Sequence, residues 1–359
     1  MSKRSIVPFG PQHPVLPEPI HLDLVLEDEK VVEAIPSIGF VHRGLEKLVE
    51  KKDFNEYVYV AERICGICSF MHGMGYCEAV EHIMGVEIPP RAKYLRTIWC
   101  EMSRIHSHLL WLGLLADAFG FESLFMQTWR IREKILDMFE CSTGGRVIFS
   151  VNKIGGQRRD MDNSMLHGFL EVFDGIERDL KDLTKTFLNN TAVNTRLKGL
   201  GYLSRERAHE TGAVGPFMRA SGIERDTRRL GYAAYGDLEF ETVTSGVGDC
   251  YARTEVRIGE IFQSIRLIRQ AVSRIPEGDV AVPVKGFPNG EYLMRVEQPR
   301  GEAVYYVKAN GTKFLDRVRV RTPTFANIPP MLETIKGCQL ADVPILILTI
   351  DPCISCTER

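Results

Sequence analysis

The chain has 359 residues, and its 45 Lys and Arg against 47 Asp and Glu leave a formal net charge of −2. That is enough chain for one large or two ordinary domains with a sizeable buried core, and the even charge balance gives no electrostatic case for binding nucleic acid. Nine cysteines, an odd number, follow an opening Met-Ser-Lys-Arg-Ser-Ile-Val-Pro that lacks the apolar core of an export signal, so they read as reduced thiols in a cytosolic setting rather than as a disulfide framework.

In chain order, residues 5–19 carry Pro8, Pro11, Pro14, Pro17 and Pro19, which deny the stretch a regular helix or central strand. It is expected to lie irregularly across something already folded. His21 to Leu26 alternates apolar and polar side chains, Glu27 to Lys30 turns, and Val31 to Ile35 returns, which predicts a β-hairpin. Gly44 to Lys52 places Leu45, Leu48 and Val49 on one helical face. No proline occurs between Pro90 and Pro216, and Arg91–Ala118, Leu124–Phe139 and Met161–Asn189 repeat apolar residues every three or four positions, the pattern of long bundled helices. Gly155-Gly156, inside Lys153-Ile-Gly-Gly-Gln-Arg-Arg159, predicts an exposed basic loop. Arg253–Ile275 reads as another helix, Tyr292–Val320 as a small sheet with a turn at Asn310-Gly311, and Pro329–Lys336 as a short helix. The longest apolar run, Pro344 to Ile350, is far shorter than the roughly 20 residues of a membrane-spanning helix. The expected fold is α+β and mainly α, one unit over 1–359. It has a β-hairpin layer at 15–36, a central bundle of long helices over 44–275, a small peripheral β-layer at 290–322 and a C-terminal segment at 343–359.

Two thiol pairs stand at opposite ends of this plan, in Arg63-Ile-Cys65-Gly-Ile-Cys68-Ser-Phe-Met-His72 and in Asp351-Pro-Cys353-Ile-Ser-Cys356-Thr-Glu-Arg359. Two residues between paired cysteines let both sulfurs turn to one ion, and four converging thiolates suit zinc, nickel or iron. Structural zinc is the commoner fate of such pairs, but zinc ribbons and fingers are local devices, whereas nearly the whole chain separates these pairs. Cys77, Cys100, Cys141, Cys250 and Cys338 fit no motif and read as buried structural thiols.

The flanking residues go further. Arg-x-Cys-Gly-x-Cys-x-x-x-His together with Asp-Pro-Cys-x-x-Cys-x-x-Arg resembles the paired signatures of nickel-iron hydrogenase large subunits, and the ending in Arg is similar to the membrane-bound, energy-converting (Ech-type) group. The resemblance implies that Cys65, Cys68, Cys353 and Cys356 bind nickel, with Cys68 and Cys356 also bridging to an iron that carries carbon monoxide and cyanide. Arg300, in Pro299-Arg300-Gly301, is then the guanidinium above that centre. Glu18, between Pro17 and Pro19, is the carboxylate that exchanges a proton with the terminal thiolate of Cys353, although composition alone makes such a glutamate a surface residue. Around them, His72 is expected to support the bridging sulfurs, Asp351 to orient Arg300, and Asp117, downstream of His106 and His108, to stand nearby. Glu46, in His42-Arg-Gly-Leu-Glu46, is expected to face the last residue. Many relatives have histidine there, and Arg359 argues against a magnesium ion because a guanidinium pairs with a carboxylate but is no metal ligand.

The implied activity is reversible reduction of protons to dihydrogen at the cytoplasmic side of the membrane. Electrons would come from ferredoxin-type subunits through an iron-sulfur cluster on a small partner subunit, which the glycine-pair loop would face, and ion-translocating membrane subunits would hold the complex in place. Carbon monoxide-linked or formate-linked complexes remain alternatives. So does a non-enzymatic zinc protein, and so does a subunit like the quinone-site subunit of complex I, which shares Gly10-Pro-Gln-His-Pro14 and His42-Arg-Gly-Leu-Glu46.

Overall fold

A computed structural model describes residues 4–359; Met1 to Lys3, the start of the segment read as lacking an export signal, lie outside the described residues. Three strands open the chain, β1 (Arg4–Phe9), β2 (His21–Glu27) and β3 (Lys30–Ser37), in an antiparallel sheet of that order. Leu22, Leu24 and Leu26 of β2 point into the core, as their alternation requires. The expected hairpin is there, but the irregular stretch is shorter than expected. Arg4 to Phe9 forms a third strand, and Pro8 is accommodated because β1 is an edge whose proline leaves no ladder bond unmade on the open side.

The first cysteine pair sits between α1 (Tyr57–Glu62) and α2 (Ser69–Met84). Three long helices then follow where the proline-free sequence places them: α3 (Pro90–Ala118), α4 (Glu122–Thr143) and, after a two-residue hairpin, β4 (Asn152–Lys153) with β5 (Gly156–Gln157), α5 (Asn163–Asn189). Their ends are marked by side chains and glycines. Asp162 accepts from Met165 N at 2.7 Å at the start of α5, and Gly85 and Gly144, both with positive φ, close α2 and α4. α5 buries only one stripe, which includes Leu166, Phe169, Phe173, Ile176, Leu180, Leu183 and Phe187. α3 is buried nearly all round and carries Arg96, Glu101, Arg104, His106 and His108 inside the protein. Short helices α6 (Thr191–Leu197), α7 (Arg205–Glu210) and α8 (Gly215–Arg219) lead to α9 (Cys250–Arg274), which packs along α3.

A second antiparallel sheet, β6 (Asn289–Gln298), β7 (Gly301–Asn310) and β8 (Leu315–Arg321), lies against α2. Then come α10 (Pro323–Ile335), α11 (Val343–Thr349) and α12 (Ile354–Thr357). The mixed α+β architecture expected from the sequence is therefore present, with small antiparallel sheets beside the long helices. Among the described residues no helix is long and apolar enough to cross a membrane.

Four local expectations are corrected. Gly44 to Lys52 forms only a short 3-10 turn at Lys47–Glu50, because Gly44 adopts φ +67° and breaks the helical path. α10 begins at Pro323 rather than Pro329, since a proline at the first helical position has no N–H to leave unpaired. Cys141 is exposed and Cys338 half-buried, so neither is a core thiol. The Gly155-Gly156 turn is buried, not an exposed loop. Its peptide groups are satisfied from α2 and α3: Gly155 N donates to Glu81 Oε1 at 2.9 Å, and Arg96 donates to the carbonyl oxygens of Gly156 and Lys153 at 3.2 and 3.3 Å. Glu81 and Arg96 are in turn paired at 2.7 Å. Only Arg158 and Arg159 of the basic run are fully exposed.

Gly156 has φ +137°, and a Cβ there would lie 2.2 Å from the Val280 carbonyl oxygen, whereas Gly85, at φ +63°, faces open space. Gly156→Ala is expected to lower stability by about 2–4 kcal/mol, strain and backbone clash together. Gly85→Ala should cost only the left-handed penalty of about 1–2 kcal/mol. Thermal unfolding of the two variants side by side measures the difference.

Candidate metal centre

Cys65 closes the turn after α1, where its sulfur accepts from Ile67 N at 3.3 Å, and Cys68 is the residue on which α2 starts. The second pair repeats this arrangement, with Cys353 capping α12 and Cys356 inside it. The apolar run Val343–Thr349 is a buried helix, and at Asp351 the chain bends through φ +56° to turn the last pair inward.

The pairs meet face to face. Cys65 Sγ lies 3.3 Å from Cys353 Sγ, and Cys68 Sγ 3.7 Å from Cys356 Sγ, across a sequence separation of 288 residues in both cases. Cys65, Cys68 and Cys356 have sulfurs within 4.8 Å of one another, and all four thiols are at most 2% exposed. These separations exceed a sulfur–sulfur bond of about 2.05 Å, so the four are free thiols gathered around one point.

Side chains from five elements hold that point. Arg300 occupies the two-residue turn between β6 and β7, and this turn is fixed by glycines: Gly301 has φ +132°, and a Cβ on it would meet Gly215 N at 2.8 Å. Its Nε donates to the Asp351 carbonyl and its Nη2 to Asp351 Oδ1, both at 2.8 Å. Nη1 is buried without a partner. His72 Nε2 lies 3.4 Å from Cys356 Sγ, and its Nδ1 is hydrogen-bonded to the Tyr305 hydroxyl. Burial pushes the imidazole down to about 3, so the ring is neutral. Glu18 is half-buried against the turn after Cys353, accepting from Ile354 N and, at 3.4 Å, from Ser355 N. Burial first, then the Cys353 thiolate, pushes its carboxyl up to about 8, against the pull of Arg300 and the two backbone donors.

Glu46 and Arg359 form an ion pair at 2.9 Å, and the same Glu46 oxygen accepts from Val320 N at 2.9 Å. Asp117 is not brought to the sulfurs. It is exposed at the end of α3, where it lines a surface cavity of about 220 Å³ with Pro14, Val15, Leu16 and Pro17.

Several residues at the centre had no role assigned from the sequence. Arg43 donates to the carbonyls of Arg63 and Ile64 at 2.9 Å and of Ser355 at 2.8 Å, tying one cysteine segment to the other. Thr324 accepts from Cys353 N at 3.1 Å, and Thr322 donates to the Cys356 carbonyl at 3.0 Å. The Glu358 carboxylate accepts from Gly39 N at 2.6 Å and from Val41 N, while its carbonyl meets His42 Nδ1 at 2.8 Å. Arg43 and His42 lie in the quoted His-Arg-Gly-Leu-Glu element and were visible there; Tyr305, Thr322 and Thr324 carry no sequence signal.

The donor set fits a metal. Four buried thiols, with no apolar packing reason to converge, match the soft ligand shell of zinc, nickel or iron. The unpartnered Nη1 of Arg300 is a second feature, because a buried guanidinium donor is costly unless an acceptor sits beside it, and the thiolates of Cys353, Cys65 and Cys68 are among the charges that act on this guanidinium.

Comparisons with known proteins give the same picture. Residues 43–117 match the model of the nickel-dependent hydrogenases, and residues 118–287 and 284–359 that of the respiratory-chain NADH dehydrogenase 49 kDa subunit. The first cysteine pair thus falls in the hydrogenase match and the second in the complex I match. The chain is 38% identical over 98% of its length to the carbon monoxide-induced hydrogenase of Rhodospirillum rubrum, covering 99% of that protein. It is 37% identical over 98% of its length to the membrane-bound hydrogenase subunit alpha of Pyrococcus furiosus, covering 87% of it. This chain belongs to the large-subunit family of group 4 nickel-iron hydrogenases and complex I. Within that family the fold is close to a chain of an archaeal respiratory complex, the membrane-bound sulfane sulfur reductase. The TM-score is 0.94 at 31% identity, over 99% of this chain and 98% of the other. The cysteine cluster at 65, 68, 353 and 356 is consistent with a metal site of the kind carried by hydrogenase large subunits.

Arg43 spans both ligand segments from an exposed position, so its three hydrogen bonds are discounted for solvent competition to about 1–2 kcal/mol in total. Arg43→Met is expected to lower the unfolding midpoint modestly and to release bound metal faster to a chelator, as followed by metal analysis over time.

Proposed function

We propose that the chain is the catalytic subunit of an energy-converting nickel-iron hydrogenase that reversibly reduces two protons with two electrons to dihydrogen. The observation that carries this reading is the four-thiol cluster under an arginine with one unpaired buried donor. A four-thiolate zinc site would be anionic as well, so nickel and iron are favoured over zinc by the likeness of residues 43–117 to the nickel-dependent hydrogenases. Cys65, Cys68, Cys353 and Cys356 would hold a nickel-iron pair whose iron bears cyanide and carbon monoxide, and that group would supply two-electron chemistry at dihydrogen and an anionic shell for Arg300. Arg300 holds its guanidinium over the sulfurs, and Asp351 holds Arg300 from behind through two contacts. His72, neutral and anchored by Tyr305, keeps a polar edge against Cys356.

Glu18 is the proton carrier in this reading. It leans on the turn beside Cys353, and a carboxyl that titrates near neutrality both accepts and gives up a proton at working pH. Glu46 pairs with Arg359, the last residue of the C-terminal ligand segment.

Electrons must come from outside the chain, since the one cysteine cluster among the described residues is that of the centre. We assign their entry to an iron-sulfur cluster on a small partner subunit, docked near Tyr59, whose ring is flanked by Arg158 at 4.8 Å and Arg63 at 5.9 Å. Ferredoxin-type subunits would feed that cluster. Membrane subunits would couple the reaction to ion translocation and hold this subunit on the cytoplasmic face; the membrane-bound relatives support the peripheral placement. The likeness to the sulfane sulfur reductase supports a second reading, in which the same centre reduces sulfane sulfur instead of protons.

The test is infrared spectroscopy of the matured complex, with nickel, iron and zinc determined on the same sample. Carbonyl and cyanide bands with equal nickel and iron are expected; zinc without such bands in matured protein would overturn the proposal. Dihydrogen evolution against sulfide release then separates the two readings. Glu18→Gln is expected to slow dihydrogen evolution by about 10²-fold or more, the usual share of a positioned proton carrier, with metal content unchanged.

A further inference from the structure

Asp351 does not belong to Arg300 alone. Its second carboxylate oxygen, Oδ2, faces Arg257 Nη1 of α9 at 3.5 Å, and Arg257 Nη2 lies 3.3 Å from the Ile350 carbonyl. Arg257 is fully buried, 1% exposed, and its Nε has no partner. Its planar head lies over the Trp111 ring at 4.7 Å, and Trp111 is itself fixed by donating Nε1–H to the Leu348 carbonyl at 2.7 Å.

As a structural brace this arrangement is poor. One donor is unsatisfied, and the other two contacts are at the long end of hydrogen bonding, so they add little directional strength. As a placed charge it is well made. The other carboxylate near it on α9, Glu260, is committed to Arg219 at 2.7 Å and His108 at 2.9 Å, which leaves Asp351 as the acid that Arg257 contacts. Burial pushes the Arg257 guanidinium down to about 10, opposed first by Asp351, so it remains cationic at neutral pH. One carboxylate is therefore shared by two guanidiniums, and of the two it is Arg300 on which the charges of Cys353, Cys65 and Cys68 act.

We propose that Arg257 is a positioning residue of the centre: by taking up half of Asp351, it prevents that carboxylate from neutralising Arg300 and so sets the positive potential that Arg300 presents to the sulfur-held group. This rests on the nickel-iron reading above. Without Arg257, Asp351 would turn its whole charge onto Arg300, and the metal group would lie in a less positive field. Its electron density would then spread further into the bound carbonyl and cyanide.

The experiment is infrared spectroscopy of the matured complex carrying Arg257→Met, whose unbranched side chain keeps the packing against Trp111 without the charge, beside Arg257→Lys, which keeps the charge without the fork. Carbonyl and cyanide bands shifted to lower wavenumber in Arg257→Met, and returned towards the native position in Arg257→Lys, are expected. Bands at the native position in Arg257→Met would overturn the proposal even if activity fell. Equal shifts in both variants would overturn it as well, because the cause would then be geometry rather than charge. If Arg257→Met does not mature, Arg257→Gln provides the same neutral comparison with the same two outcomes. Absence of these bands from the native complex would count against the nickel-iron reading itself, which keeps the two failures distinct.

Discussion

The rest of the structure depends on one closure: two thiol pairs, 288 residues apart in sequence, brought to within 3.3 and 3.7 Å. Thiols crowded at that distance in a dry interior repel one another as soon as they ionise, so the protein must hold them in place against their own charge. It does so by giving each pair a helix start and by covering the surrounding carbonyls with fixed donors. Cys68 stands at the N-terminus of the sixteen-residue α2, where the backbone field favours negative charge, and Cys353 stands at the start of the single turn α12. Arg43 and Thr322 take up carbonyls of the two ligand segments. A metal ion at the four sulfurs would neutralise what the chain has assembled.

Around this closure the long helices act as a frame whose interior is unusually polar. Arg96, Glu101, Arg104, Arg219, Arg228 and Glu260 are buried, and most are paired with one another or with backbone carbonyls. A buried ion pair is weak evidence for stability, because desolvation offsets much of the attraction. Such pairs do fix directions, since a fork of donors fits one arrangement of acceptors. The same logic recurs at the metal centre, where Asp351 sits between Arg300 and Arg257.

Much of this was legible in the sequence where the signal was local or chemical. The long proline-free interval showed as helices because three- and four-residue periodicity survives even when arginines are buried, as in α3. The four cysteines and Arg300 were legible because their flanking residues are specific. The glycine-pair turn was misread for a clear reason: a Gly-Gly step beside three basic residues looks solvated, and the groups that satisfy it, Glu81 and Arg96, come from distant helices. Tyr305 and Arg257 were invisible for the same reason. Each acts on the centre from another element, and nothing in its own neighbourhood of the chain announces the contact. Asp117 shows the converse, since closeness in sequence to His106 and His108 did not bring it to the sulfurs.

The contact between Gly301 and Gly215 has a wider meaning. Arg300 stands over the sulfurs because its turn is pressed against another backbone, with no side chain between them. The position is therefore defined by an absence. A side chain on either glycine would press these two backbones apart, so part of what places the Arg300 guanidinium is written in two residues whose own side chains are absent.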